Sequence, residues 1–173
     1  GLKEAERVSR DLSVKKAWEL LSSKRESTLT VVNDNDGLEG LMTIGDIAKS
    51  IMDVSGGRAL ADAKTSYSNI VETLKAEVLA GDIENKTATG KVIVAAANPD
   101  LMEESIEAGD MVIMGDRYES QLCAIEMQAA CLIISIGCEV SPSILQLAEE
   151  KNCIILRTAY DTFITARLLN QSI

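Results

Sequence analysis

Thr43 and Asp46 have the residue types and spacing of a nucleotide-binding pair where a predicted strand gives way to a helix. A hydroxyl at the end of a strand, beside the free amides of a following helix, forms a cradle for phosphate. A carboxylate three residues further can accept both hydroxyls of a ribose. Taken alone, however, these residues favour simple helix capping, with Thr43 as the cap and Asp46 completing a capping box.

A second candidate ligand site lies at Asp116 and Arg117, at another predicted strand-to-helix turn. Proteins of the α/β class bind ligands at the carboxyl ends of their strands. Asp116 is predicted to cap the following helix, and Arg117 can bind an anion. The plainer interpretation is a cap beside a surface ion pair, which contributes about 0 to 1 kcal/mol.

The composition excludes several kinds of chemistry and of partner. The chain has no histidine among its 173 residues, so neither a histidine-containing triad nor a histidine-ligated metal centre is expected. Four cysteines lack a C-x-x-C pair, and Cys131 and Cys153 open apolar runs, which favours buried thiols in a reducing compartment. The net charge of −10 disfavours nucleic acid, and no apolar stretch is long enough for a membrane span. We therefore expect a cytoplasmic protein without catalytic or metal-binding residues.

The elements that position the first candidate site lie in residues 1–57. Helical spacing of apolar residues predicts a helix over 14–22, and a β-branched run predicts a strand over 29–32. A dense turn leads to a returning strand over 38–43 and a helix over 44–52.

The second candidate site belongs to a larger unit. Residues 58–67 have no clear period and are predicted to be a linker, whereas 68–173 are predicted to begin with a helix over 69–79. Four strand–helix repeats then follow, with Asn98-Pro99 and Ser141-Pro142 as helix starts. The predicted strands cover 92–97, 111–114, 132–136 and 153–156. Short, nearly continuous apolar strands indicate an α/β fold with a mainly parallel sheet.

The N-terminal unit resembles a CBS motif along its whole length. The sequence of residues 8–14 matches the usual opening of the motif, and residues 27–32 match its central strand, with Thr30 in place of the family's proline. CBS motifs pair two at a time, and the cleft of the pair binds adenine nucleotides in many members. Because one motif is visible here, its partner is expected in a missing segment or in another chain, which suggests a homodimer.

The resemblance also implies roles for individual residues of the CBS-type α+β half-module. Thr43 would contact a phosphate and Asp46 the ribose of an adenine nucleotide. Backbone near Val8 and Thr28 would flank the base.

The C-terminal unit resembles the DRTGG domain. Asp116 and Arg117 match the first two letters of its motif, Ser135 stands for the threonine, Ile136 for the first glycine, and Gly137 matches the second. The matching residues are a candidate ligand site. A branched side chain at position 136 would obstruct the close backbone approach that two glycines permit, which favours a structural or dimerising role instead.

The order of CBS motif and DRTGG domain resembles the regulatory insert of CBS-containing family II inorganic pyrophosphatases. The resemblance implies a regulatory region that modulates hydrolysis by a separate catalytic domain. AMP or ADP would inhibit that hydrolysis, and ATP or a diadenosine polyphosphate would activate it. Manganese or cobalt would belong to that absent domain, and no cofactor is expected here. The chain begins at Gly1, and we interpret it as an excised piece of a longer protein and not an enzyme.

Two alternatives remain open at this point. The first is a dimerisation scaffold whose CBS unit is degenerate and binds no nucleotide. The second is a small α/β transferase that uses Asp116 and Arg117.

Overall fold

A computed structural model describes residues 57–95 and 105–173, together with the backbone of three strands between residues 6 and 43. The three strands are β1 (Glu6–Ser9), β2 (Thr28–Val32) and β3 (Leu38–Thr43). β1 is parallel to β2, and β2 is antiparallel to β3. The strands predicted over 29–32 and 38–43 are thus confirmed, while the helices predicted on either side of them lie outside the described residues.

The C-terminal unit is a five-stranded sheet with helices on both faces. Its elements in chain order are α1 (Ala59–Asp62), α2 (Tyr67–Leu74), β4 (Glu77–Ala80), β5 (Val92–Val94), β6 (Met111–Met114), α3 (Tyr118–Glu126), β7 (Cys131–Ile134), α4 (Pro142–Glu150), β8 (Ile154–Arg157) and α5 (Thr162–Gln171). The strand order is β4-β8-β7-β6-β5, and only β4 is antiparallel to its neighbour. The predicted mainly parallel α/β fold is confirmed.

Burial on both faces explains why the strands are so uniformly apolar. Every residue of β6 and β7 is buried. One face is covered by α1, α2 and α5 through Leu60, Ile70, Leu74, Ala166 and Leu169. The other is covered by α3 and α4 through Ala124, Ile125, Ile144 and Ala148. A parallel sheet needs such cover on both sides, because its connecting helices pack against both faces.

Side-chain hydrogen bonds cap the first turns of three helices. The hydroxyl of Ser66 accepts a hydrogen bond from Asn69 N at 3.1 Å. The Ser141 hydroxyl accepts from Ile144 N at 3.4 Å, with a proline at the start of the helix. The carboxylate of Asp161 accepts from Ile164 N at 2.8 Å. Each cap satisfies an amide that the first helical turn leaves without a partner.

The helix predicted over 69–79 is wrong in its second half. The helix α2 ends at Leu74, because Lys75 adopts a left-handed conformation with φ of 49°. Residues Glu77–Ala80 are instead the edge strand β4, on which Val78 is exposed. Val78 lies four residues after Leu74, so its spacing fits a helix, but tertiary pairing with β8 decides the outcome.

The predicted linker over 58–67 also contains structure. Residues Ala59–Asp62 form α1, and Leu60 is fully buried in the core with α2 and α5. A helix of four residues is too short for an apolar period to appear in the sequence.

The amino end of the sheet is held by a buried carboxylate. Asp110 is 1% exposed, and it accepts hydrogen bonds from Lys91 N at 3.0 Å and from Glu107 N at 2.8 Å. Lys91 Nζ lies 2.7 Å from the same carboxylate. A Cβ atom on Gly90 would come within 2.5 Å of Asp110 Oδ1, so this position requires glycine.

The helices α2 and α5 lie side by side. Asn69 Nδ2 donates to the carbonyl of Ser172 at 2.8 Å. The first strand of the sheet, β4, pairs with the last strand, β8. The start of α2 therefore lies next to the end of α5.

Candidate functional site

The N-terminal sheet brings two of the predicted nucleotide-binding residues together. Thr28 on β2 lies directly opposite Thr43 on β3. Val8 on β1 pairs with Val31 on the other side of β2. The backbone therefore places all three in one small sheet, while Asp46 lies outside the described residues.

The other predicted site lies at what we call the carboxyl corner, the loops 115–117, 135–138 and 158–161 that follow β6, β7 and β8. Ser135 is buried there, and both its amide and its hydroxyl donate to the carbonyl of Met114, at 2.9 and 3.2 Å. Ser135 is thus a structural link between the ends of two neighbouring strands.

A tight turn occupies residues 135–138 of the carboxyl corner. Its central residues, Ile136 and Gly137, have φ of 49° and 65°, and Cys138 N donates to Ser135 O at 3.2 Å. Positive φ at both central positions is the requirement of a type I′ turn, which normally selects asparagine, aspartate or glycine. The preference for two glycines in the motif thus follows from backbone geometry.

Ile136 occupies one of these positions with a branched side chain. The left-handed conformation costs an L-residue about 1–2 kcal/mol, and β-branched residues adopt it least readily. The side chain is 63% exposed, so burial in this chain does not offset the cost. The sequence indicates the missing glycine but not the positive φ that makes the substitution costly.

The amides of the turn are all used within the protein. Ile136 N donates to Tyr160 O and Gly137 N to Thr158 O, both at 2.8 Å. Together with the bond from Cys138 N, these contacts leave no amide of residues 136–138 free for a phosphate. These hydrogen bonds of the turn therefore link the end of β7 to the loop after β8.

Thr158 adds further hydrogen bonds at this place, and no sequence pattern indicates its role. Its amide donates to Ile134 O at 2.9 Å, and its buried hydroxyl donates to Leu74 O at 2.8 Å. The same hydroxyl accepts from Tyr160 N at 3.3 Å. One side chain thereby joins the loop after β8 to the last residue of α2.

The prediction that Asp116 caps α3 is wrong. The N-cap residue is Arg117, one position later, and its side chain makes no capping hydrogen bond. Burial raises the pKa of the Cys138 thiol, and the nearby negative charge of Asp116 raises that pKa further. Both Asp116 and Arg117 are exposed, and neither forms an ion pair with another described residue.

The buried thiols behave as small apolar side chains, as predicted. Cys131 and Cys153 are both buried, and burial raises the pKa of Cys153 to about 12. Burial likewise raises the pKa of Cys131. A thiol with a raised pKa is a poor nucleophile and a poor metal ligand at neutral pH.

Among the described residues, no group of three or more cysteine, aspartate or glutamate side chains is placed to hold a metal ion. In the same part of the chain, no helix has the length and apolar character that crossing a membrane requires.

The described residues form a small mixed sheet followed by a five-stranded α/β domain. The model of the DRTGG domain family matches residues 69–172. The chain belongs to the DRTGG domain family.

Similar proteins cover nearly the whole chain. A cobalt-dependent inorganic pyrophosphatase of Clostridium perfringens is 35% identical over 94% of the chain, and a probable manganese-dependent inorganic pyrophosphatase of Thermotoga maritima is 31% identical over 96%. The chain spans 30% of the length of each of these relatives.

A solved structure is similar along nearly the whole chain. It contains the CBS and DRTGG domains of the regulatory region of the Clostridium perfringens pyrophosphatase, in complex with the activator diadenosine tetraphosphate. The likeness has a TM-score of 0.66 at 33% identity, and covers 99% of this chain and 76% of the other. The predicted family and fold are thus confirmed.

Proposed function

We propose that this chain is the nucleotide-sensing regulatory region of an inorganic pyrophosphatase. An adenine nucleotide binds at the CBS motif, with Thr43 on a phosphate, Asp46 on the ribose, and the backbone near Val8 and Thr28 beside the base. The observation that carries the proposal is the pairing of Thr28 with Thr43 at one end of the small sheet. Similarity along 99% of the chain to a region solved with a nucleotide activator supports it.

The nucleotide acts by preferring one arrangement of the region over another. A ligand shifts an equilibrium only by the difference between its affinities for the two states. AMP or ADP would favour the arrangement that inhibits a separate catalytic domain, and ATP or a diadenosine polyphosphate the one that activates it. The manganese or cobalt would belong to that domain, and a second CBS motif, from the parent chain or from a second copy, would complete the cleft.

The test is thermal unfolding with AMP, ADP, ATP and diadenosine tetraphosphate. Ligand at about 100 times its Kd stabilises the folded state by about 2.7 kcal/mol, which raises Tm by several degrees in a chain of this size. The shift should disappear in Asp46→Ala and persist in Asp62→Ala, which removes an exposed carboxylate from α1. Equal shifts in both variants would place the nucleotide elsewhere.

The second candidate function is a dimerisation scaffold, in which the DRTGG domain holds two chains together. The observation that favours it is the carboxyl corner, whose turn amides are all consumed internally. Ser135 is hydrogen-bonded to Met114 O, and Gly137 N donates to Thr158 O. Of the four motif residues, only Arg117 is therefore left with a group that can bind an anion, since it forms no ion pair with another described residue. Absence of a Tm shift with every nucleotide would favour this function over the first.

A further inference from the structure

The register of the small N-terminal sheet assigns its residues to an apolar face and a polar face. Successive residues of a strand alternate between the faces, and paired residues share a face. Apart from Glu6, the first face takes the apolar positions Val8, Leu29, Val31, Gly40 and Met42. The second, which we call the polar face, takes Arg7, Ser9, Thr28, Thr30 and Thr43, besides Val32 and Leu41. Both threonines of the proposed phosphate end of the site therefore share a face with an arginine.

Arg7 lies at a defined separation from Thr43 on this face. It pairs with Thr30 on one side of β2, whereas Thr43 pairs with Thr28 on the other side. Strands lie about 4.8 Å apart and rise about 3.3 Å per residue, so the backbones of Arg7 and Thr43 are about 12 Å apart. That separation exceeds the length of one phosphate group. An extended arginine side chain and a longer phosphate chain can span it together.

A positive charge on the polar face matters because the chain as a whole repels phosphate. The net charge is −10, so a ligand with several negative charges needs local compensation. Within the three described strands, Arg7 is the only lysine or arginine. A guanidinium group can donate two parallel hydrogen bonds to one phosphate. Thr30, directly opposite Arg7, adds a hydroxyl group at the neighbouring position of the same face.

We propose that Arg7 is a second phosphate-binding residue of the nucleotide site, which makes the region distinguish nucleotides by the length of their phosphate chain. The inference rests on the proposed function and deepens it. AMP, with one phosphate, engages the position of Thr43 alone. ATP extends along the polar face to Arg7 and gains a charge-assisted contact that AMP cannot make.

The test is calorimetric titration of the whole chain with AMP and with ATP, without divalent cations, which would neutralise the phosphate chain. Arg7→Met should weaken ATP binding by about tenfold or more and change AMP binding by less than about twofold. Retained AMP binding also shows that the variant is folded. Arg7→Lys, which keeps the charge but loses the paired hydrogen bonds, should weaken ATP binding to an intermediate extent.

Arg58→Met is the matched control, because it removes the same charge from an exposed arginine just before α1. It should leave both affinities unchanged. Equal weakening of AMP and ATP by Arg7→Met, or no weakening of either, would overturn the role of Arg7 while the wild-type chain still binds both nucleotides. Asp46→Ala tests the proposed function separately, since loss of a ribose contact should weaken both nucleotides alike. A wild-type chain that binds neither nucleotide would overturn both proposals.

Discussion

The two ends of the five-stranded sheet differ in the space that surrounds their glycine residues. At the amino end, Gly90 is enclosed, and a Cβ atom there would lie 2.6 Å from the carbonyl oxygen of Gly109. At the carboxyl end, Gly137 has open space beside it, and its neighbour Ile136 takes a position that suits glycine. The amino end is therefore fixed by internal packing, whereas the carboxyl end tolerates a side chain that the fold does not need. Surface that the chain itself does not cover, as beside Gly137, is available for contact with another molecule.

Removal of the Asp110 carboxylate, at the amino end of the sheet, should cause the largest decrease in the free energy of unfolding. Asp110→Ala leaves the amides of Lys91 and Glu107 without their acceptor, and it removes the nearer of the two carboxylates from the Lys91 ammonium. Loss of one partner from a buried ion pair costs about 3–5 kcal/mol, and we expect the lower value because Lys91 is partly exposed. Urea unfolding measures the change. A loss under about 1 kcal/mol would show that water replaces the carboxylate.

Substitution of the enclosed glycine, Gly90, should cause the second-largest decrease in the free energy of unfolding. Gly90→Ala forces a Cβ atom against Asp110 and Gly109, so the backbone must shift, and we expect a loss of about 2–3 kcal/mol. Gly137→Ala is the matched control at the open end, where only its positive φ opposes the methyl group, at about 1 kcal/mol. Equal losses in urea unfolding would contradict the contrast between the two ends.

At the carboxyl end, one substitution should stabilise the domain. Ile136→Gly relieves the left-handed strain but adds freedom to the unfolded chain, so the net gain should be about 0.5–1 kcal/mol. Thermal unfolding at concentrations where the chain is monomeric measures it. A lower Tm would mean that Ile136 makes a stabilising contact within its own chain.

The smallest effect is expected for the ion pair at the exposed end. Arg157 Nη2 lies 3.0 Å from Glu77 Oε2, across the pairing of β8 with β4. Both groups reach solvent, so Glu77→Gln should cost at most about 1 kcal/mol, less in high salt. Comparison with Asp110→Asn, which also removes a carboxylate charge, tests whether burial sets the difference. A larger loss for Glu77→Gln would contradict it.

The sequence predicts most of the C-terminal fold because its signals are local. Apolar runs mark β6 and β7, and Ser141 and Asp161 cap the helices that they precede. The edge strand β4 escapes prediction because Val78 continues the helical spacing of Leu74, and only pairing with β8 distinguishes the two structures.

The candidate sites were predicted less completely, for physical reasons. The pairing of Thr28 with Thr43 follows from two strands joined by a turn, which a sequence can show. The strain at Ile136 depends on its φ angle, and the role of Thr158 depends on the position of α2. The residues next to Ile136 and Thr158 in the sequence do not reveal either property. Asp110 resembles any surface aspartate until the fold encloses it.

The bond between Asn69 and Ser172 closes the segment from α2 to α5 on itself, although 103 positions separate the two residues in sequence. The same closure delays its assembly. Because β4 pairs with β8, the sheet is complete only when the last strand has emerged, and contacts so distant in sequence form slowly.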